Sequence, residues 1–240
     1  MTTEIAVGKA TKTVLLVLGL IGVCAVLVVL IIRRGGVAET EKGIGPMEPN
    51  IIIQEVVQVV KKTSEARKRK GLIYLYTGDG GGKTTNAFGF ALRAIGHGYR
   101  AVIVQFMKGW ADIGEVKACK RLAPECEVHQ FGRREFVDPQ NPALEDYKLA
   151  KEGLAFARKA LKKKPKLLVL DEINLAAAFG LVKVKDVLKL LDEAPPSTVI
   201  MLTGRRAPRG LIDRADFVSV IEDVKHPARE GILARKGIEY

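Results

Sequence analysis

The sequence predicts an α/β fold, a mostly parallel sheet with helices on both faces, preceded by an N-terminal transmembrane helix. Three observations carry that expectation. From residue 71 onward short apolar runs alternate with helical patterns. Residues 14–32 form an uncharged apolar stretch, and a glycine-rich turn joins the first short run to the helix after it.

Along the chain, VLLVLGLIGVCAVLVVLII (14–32) comes first. At about 1.5 Å per helical residue it matches a ~30 Å hydrocarbon core. A cleaved signal peptide is the competing reading, but its apolar region is usually about 7 to 15 residues and ends at a small-residue cleavage site. Residues 1–34 therefore read as an uncleaved anchor. Arg33, Arg34 and Lys42 follow the span while Lys9 and Lys12 precede it, which favours a cytoplasmic C-terminal side only slightly. Residues 35–50 carry Gly and Pro without periodicity and read as a linker. Residues 51–70 read as an amphipathic helix with Ile52, Val56, Val59 and Val60 near one face. Its basic end, KKTSEARKRK, suits either anionic lipid headgroups or a solvated helix terminus.

Residues 71–240 then form the main domain. LIYLYT (72–77), AVIVQF (101–106), LLVLDE (167–172), TVIMLT (198–203) and FVSVIE (217–222) read as buried strands. Helical patterns fall near 83–96, 142–163 and 183–192. Right-handed crossovers place the strand-to-helix loops along one sheet edge, where ligands bind in such folds.

Composition limits the function. The 240 residues, 48% apolar and 28% charged, exclude a mainly disordered or fibrous chain. Thirty-nine basic against 27 acidic residues give a net charge of +12, suited to an anionic partner. The KKKPK run at 162–166 lacks the aromatic pattern of a nucleic-acid module, so nucleic acid is not the expected partner. Cys24, Cys119 and Cys126 are too few for a disulfide scaffold and suggest a reducing compartment. Cys119, Cys126 and His129 lack both a fourth ligand and paired spacing for zinc.

The chemistry-bearing motif is Thr77-Gly78-Asp79-Gly80-Gly81-Gly82-Lys83-Thr84-Thr85 between strand and helix. Its glycines let backbone amides turn onto phosphate oxygens, the helix start adds its dipole, Lys83 adds charge and Thr84 can ligate Mg²⁺. This is the signature of a P-loop NTPase-like (RecA-like) fold. Measured from Gly78 the loop is one residue shorter than the usual spacing, consistent with a triphosphate that lies differently. Asp171 and Glu172 end a strand where carboxylates hold Mg²⁺ against phosphates.

TGDGGGKTTNAFGFALRAIGHGYRAVIVQFMKG (77–109), Gly114-Glu115, LDEINLAAAFG (170–180), TGRRAP (203–208) and LIDRADFVSVIEDVKHPAREGILARKGIEY (211–240) resemble, in order, the P-loop ATP:corrinoid adenosyltransferases, the CobA/CobO/BtuR family. The resemblance spans roughly residues 60–240 and leaves out the apolar span. It implies transfer of the 5′-deoxyadenosyl group of ATP to Co(I) of a corrinoid, with release of triphosphate from a nucleotide bound in the reverse sense. The cobalt is then itself the nucleophile, so no Ser, Cys or His nucleophile is required.

On this resemblance Gly78, Asp79, Gly80, Gly81, Gly82, Lys83, Thr84 and Thr85 bind ATP. Lys83, Thr84 and Glu172 serve catalysis, and Thr84 and Glu172 hold Mg²⁺, with Asp171 either a ligand or an orienting group. Arg205 is either a phosphate contact or part of a structural ion pair. The family eases cobalt reduction with an aromatic-x-Trp element that aligns with Phe136-Val137-Asp138; Phe136 keeps the aromatic type, tryptophan is absent, and Trp110 stands elsewhere. Gly81 occupies a position where the family commonly has lysine, a lost charge for which Arg133, Arg134, Arg205 and Arg206 are the candidate substitutes. Lys225-His226 matches a family KH, and His226 reads as either a ligand contact or a structural residue; His97 and His129 are weaker candidates. The resemblance further implies a reductant such as flavodoxin or ferredoxin and a catalytic domain on the cytoplasmic side of the membrane, while a homodimer is left open. A P-loop ATPase or kinase yielding ADP, and a noncatalytic ATP or corrinoid carrier, are the alternative readings.

Overall fold

The computed structural model describes residues 71–238. The expected span at 14–32, the linker and the amphipathic helix at 51–70 lie outside the described residues. Among the described residues no helix is long and apolar enough to cross a membrane.

Six strands, β1 (Ile73–Thr77), β2 (Ala101–Phe106), β3 (Cys126–Phe131), β4 (Leu167–Asp171), β5 (Val199–Thr203) and β6 (Phe217–Val220), form one sheet in the order β3-β2-β4-β5-β1-β6. Every pairing is parallel. The helices are α1 (Lys83–Gly96), α2 (Gly114–Arg121), α3 (Leu144–Leu161), α4 (Ile173–Ala178), α5 (Val184–Asp192) and α6 (Arg209–Arg214), with a 3₁₀ turn at Pro227–Glu230. The α/β layout with its all-parallel sheet agrees with a P-loop NTPase-like fold.

The period-2 geometry of each strand divides its apolar residues between two cores. Ile73, Leu75, Val102, Val104, Leu168, Leu170, Ile200 and Leu202 face the layer built by α3 to α6. Tyr76, Ile103, Val169 and Met201 face the other way, onto Ala87 and Ala91 of α1 and Cys119 of α2. Because both faces are covered, the central strands read as unbroken apolar runs, which is why the sequence revealed them.

Three differences from the sequence reading have physical causes. The run at 217–222 is a four-residue edge strand with Phe217 and Val220 exposed, not a buried one. It has a neighbour on one side only, since β1 is its sole partner. Strand β3, at the opposite edge, mixes polar and apolar residues, CEVHQF, and so carries no continuous apolar signal. Cys119 at the end of α2 and Cys126 at the start of β3 meet in the same core and form a disulfide, with Cα atoms 5.2 Å apart, contrary to the reduced cysteines expected.

Parallel topology gathers the C-terminal ends of all six strands at one sheet edge. There the loop after β1 rests on the end of β6: Gly80 N donates to Ile221 O at 2.9 Å, and Ile221 N to Thr77 O at 2.8 Å. A concavity of about 400 Å³ lined by Leu161, Lys162, Lys164 and Pro195 lies at the opposite edge, where β4 begins.

Candidate functional site

The glycines of the β1–α1 loop serve two purposes. A Cβ at Gly78 would stand 2.2 Å from Ile221 O, and one at Gly80 would stand 2.8 Å from the Glu222 carbonyl carbon. Both therefore permit backbone to pass close to backbone. Gly82 adopts φ +91° as the N-cap of α1, a left-handed conformation that favours glycine. Gly81 is different, since a Cβ there meets nothing within 4 Å. Its amide donates to Asp223 Oδ1 at 2.9 Å.

Lys83 begins α1 and is buried; its ammonium turns back to donate to the carbonyl of Gly80. Burial lowers its pKa, as does the nearby Arg205 charge, while Glu172, Asp223 and Asp79 oppose the shift. Arg205, from the β5–α6 loop, donates to Asp79 O at 3.1 Å and stands 3.8 Å from its carboxylate. It thus reaches the glycine loop. Thr85 is exposed one residue beyond Thr84.

The two carboxylates at the end of β4 differ sharply. Asp171 is fully buried and accepts four hydrogen bonds: from Thr84 Oγ1 (2.9 Å) and Thr203 Oγ1 (2.6 Å) on one oxygen, from Gln105 Nε2 (2.9 Å) and Lys108 Nζ (2.8 Å) on the other. Burial alone would raise its pKa, but the Lys108 charge and these donors outweigh it and hold the group ionised. Glu172 has φ +63° and is the N-cap of α4, and its Oε2 is buried without a hydrogen-bond partner. Burial raises its pKa; Lys108, Lys83 and Arg205 pull down, and Asp171 adds to the rise.

These residues fit a hard divalent cation. The orphaned Glu172 oxygen and the Thr84 hydroxyl are oxygen donors of the right type, whereas Asp171 has each oxygen already engaged by two donors. No group of three His, Cys, Asp or Glu residues among the described residues is placed to hold a metal. Any such cation would take part of its coordination from hydroxyl, water or phosphate oxygens.

Lys108 was not foreseen as a site residue. It donates to both Asp171 Oδ2 and Thr84 Oγ1, the latter at 3.0 Å, and so joins β2 to α1. The sequence signal was present in the β2–α2 loop, at the same sheet edge as the phosphate motif, but a lysine after a strand does not reveal which way it turns. A second omission is Trp110. Its ring packs edge-on against Phe136 with centroids 5.2 Å apart, so the two aromatics are adjacent in space although 26 residues apart in the chain. Phe136 is 84% exposed. A hydrogen-bonded chain links this aromatic pair to the buried carboxylate: Gln105 donates to Asp171, Gln130 donates to Gln105 Oε1 (3.0 Å) and to Trp110 O (3.1 Å).

Other candidates are committed to structure. Arg133 forms a two-pronged pair with buried Asp146, at 2.8 and 3.1 Å, and is not free for the glycine loop. His226 caps the 3₁₀ turn by accepting from Ala228 N at 3.1 Å, and His97 caps the end of α1 through its backbone. His129 lies against Phe156, centroids 4.1 Å apart, with Glu127 at 3.4 Å. Arg134 and Arg206 are exposed, the latter with φ +53°.

Residues 69–240 match the model of the family described as ATP:corrinoid adenosyltransferase BtuR/CobO/CobP. The chain is 34% identical over 182 residues to a corrinoid adenosyltransferase of Pseudomonas aeruginosa, covering 76% of this chain and 90% of that one. It is 36% identical over 174 residues to one from a Sinorhizobium species, covering 71% and 81%. A third, from Escherichia coli K12, is 34% identical over 185 residues, covering 76% and 92%.

The Arg133–Asp146 pair has a stability consequence away from the glycine loop. The Arg133 hydrogen bonds and the Ala143 amide hold the Asp146 pKa below the usual carboxylate value, against the effect of burial. A depressed folded-state pKa adds stability above the unfolded value of about 3.9, and that stability is lost as pH falls through the folded value. Asp146→Asn is therefore expected to be less stable than the native chain at pH 7, with the gap closing as pH drops below about 4. Urea melts across that range measure it, and a gap independent of pH would show the ion pair has no such role.

Proposed function

Because the chain belongs to the ATP:corrinoid adenosyltransferase family, we propose that it transfers the 5′-deoxyadenosyl group of ATP to Co(I) of a corrinoid at the edge formed by the β1–α1 loop, Asp171–Glu172 and the Trp110–Phe136 pair. The single observation that carries the placement is the hydrogen bond between Thr84 and buried Asp171, which sets the glycine loop directly against the acidic end of β4. β5 stands between the strands that bear them, an arrangement that supports the RecA-like reading.

In the reaction the electron pair of Co(I) forms the Co–C5′ bond while the C5′–O bond of ATP breaks and triphosphate departs. A low-potential donor such as flavodoxin or ferredoxin supplies the electron that takes Co(II) to Co(I). The protein's task is alignment and stabilisation of the leaving group's charge. The amides of Gly82 and Lys83, at the N-terminus of α1, face the triphosphate, while those of Gly80 and Gly81 donate to Ile221 O and Asp223 Oδ1 and turn to it only by giving up those bonds; the Lys83 ammonium exchanges its Gly80 contact for a phosphate oxygen. Arg205 adds a second cation at Asp79. Thr84 and Glu172 would hold Mg²⁺, which when bound neutralises charge on the departing triphosphate. Asp171 orients Thr84, since its own oxygens are engaged. Phe136 and Trp110 offer the apolar surface for the corrin face.

The uncharged run at 14–32 supports a membrane tether, and the need for ATP and reducing equivalents supports a domain on the cytoplasmic side. The full chain is expected to sediment with membranes and to be released by detergent but not by concentrated salt; release by salt alone excludes a spanning segment.

Anaerobic incubation with ATP and chemically reduced cobalamin is the direct test. Triphosphate and a Co–C absorption spectrum are the expected products, whereas ADP and orthophosphate would identify an ATPase or kinase. Lys83→Ala should weaken ATP binding by about tenfold or more, since charge-assisted contacts to phosphate are among the stronger ones. Gly81→Lys tests the loop separately. Nothing obstructs a side chain there, and the added charge should tighten ATP binding by about three- to tenfold at low salt. Unchanged affinity would mean that position 81 does not face the phosphates.

A further inference from the structure

The Lys108 ammonium sits between the hydroxyl placed to hold a metal ion, Thr84 Oγ1, and the buried carboxylate beside Glu172. It contacts a hydroxyl, Thr84 Oγ1, and a carboxylate, Asp171 Oδ2, at 3.0 and 2.8 Å, and the charge of Glu172 acts on it as well. Burial opposes the charged form, but the two carboxylates outweigh it and the pKa is raised. The side chain is held there by its backbone. Met107 turns at φ +55° directly after β2, and Met107 N donates to Phe131 O at 3.0 Å. Gly132 passes so close that a Cβ on it would stand 2.2 Å from Lys108 N, and one on Gly109 would stand 2.5 Å from Gly132 O. A non-glycine residue at positive φ inside such a clamp is costly and marks a constrained, purposeful turn. An ammonium has three N–H donors, of which Thr84 and Asp171 take two.

We propose that Lys108 is the resident cation of the nucleotide site. Its ammonium holds the place between Thr84 and the Asp171–Glu172 carboxylates, so the triphosphate of ATP binds without a divalent ion, and it yields that place when a metal enters with the nucleotide. The inference rests on the adenosyltransferase reading only in taking a triphosphate as the ligand.

Two consequences have opposite signs, which separates this role from a merely structural one. Without Lys108, two adjacent carboxylates lose their counter-ion and repel a metal-free triphosphate. The same loss removes a competitor for the metal, so a divalent ion alone binds more tightly. The measurements are calorimetric titration of the full chain in detergent with ATP, in EDTA and in Mg²⁺, and Mn²⁺ binding without nucleotide by paramagnetic resonance.

The native chain should bind ATP in EDTA within about tenfold of its affinity with Mg²⁺, and a larger loss overturns the proposal. Lys108→Gln should lose more affinity in EDTA than in Mg²⁺, by about tenfold or more, and should bind Mn²⁺ more tightly than the native chain. Equal losses in both buffers, or Mn²⁺ binding that is unchanged or weaker, overturn it as well. Should Lys108→Gln fail to fold, the native comparison decides by itself. Corrinoid turnover with Mg²⁺ and ATP tests the adenosyltransferase reading independently. Turnover without the EDTA result removes only the role of Lys108, and the EDTA result without turnover removes only the reaction.

Discussion

The buried carboxylate of Asp171 is the constraint on which the arrangement depends. A fully desolvated charge is tolerated only when its lone pairs are engaged and a counter-ion is near. Asp171 meets both conditions with donors from four places in the chain: Thr84 on α1, Gln105 at the end of β2, Lys108 beyond it and Thr203 at the end of β5. Each donor is therefore fixed in direction as well as position. Loss of the carboxylate would take the counter-ion from a part-buried lysine and the acceptor from three polar groups, so the sheet edge and the start of α1 are held in one geometry by one residue.

From that point order spreads in two directions. Through Thr84 it reaches the glycine loop, whose other side is held by the backbone of β6 at Ile221 and by the Asp223 carboxylate. Through Gln105 and Gln130 it reaches the carbonyl of Trp110, and so the exposed aromatic pair with Phe136. The proposed reaction needs a nucleotide and a large flat corrin brought together, and the network joins the two surfaces by hydrogen bonds between side chains fixed in the sheet. Asn174 adds a brace by donating to Tyr76 O and Gly204 O, each at 3.1 Å, which ties the end of β1 and the loop after β5 to α4.

The central strands were legible in the sequence because burial on both faces leaves unbroken apolar runs, and the glycine loop because it stands between a strand and a helix. The edges were less so. β3, CEVHQF, mixes polar and apolar residues without a continuous apolar run and carries no strand reading, while the run of β6 reads as a buried strand although Phe217 and Val220 are exposed. Short helices such as Ile173–Ala178 are too brief to show a period. Within the site, Thr84, Asp171 and Glu172 were legible as types at fixed places, but the division of labour between the two acids was not. It depends on the donors that arrive from α1, β2 and β5, which are 87, 66 and 32 residues away from Asp171 in the chain. Trp110 and Phe136 are likewise distant in sequence and adjacent in space. Arg133 is one of four arginines offered by the sequence as substitutes for the charge missing at Gly81, yet buried Asp146 at the start of α3 claims both prongs of its guanidinium.

The contrast between Asp171 and Glu172 shows why adjacent carboxylates are useful in such a site. Successive residues at a strand end cannot share an environment when the second turns to φ +63° and opens a helix. The first remains in the sheet, where neighbouring strands saturate it; the second is carried past the edge with one oxygen buried and unpaired. A saturated acid keeps its charge and fixes the groups around it, while an unsaturated one is costly until a cation arrives. In a displacement where the cobalt supplies the nucleophile, no side chain has to form a bond. On the proposed reaction, saturation at Asp171 would serve orientation and deficit at Glu172 would hold a cation against the leaving group.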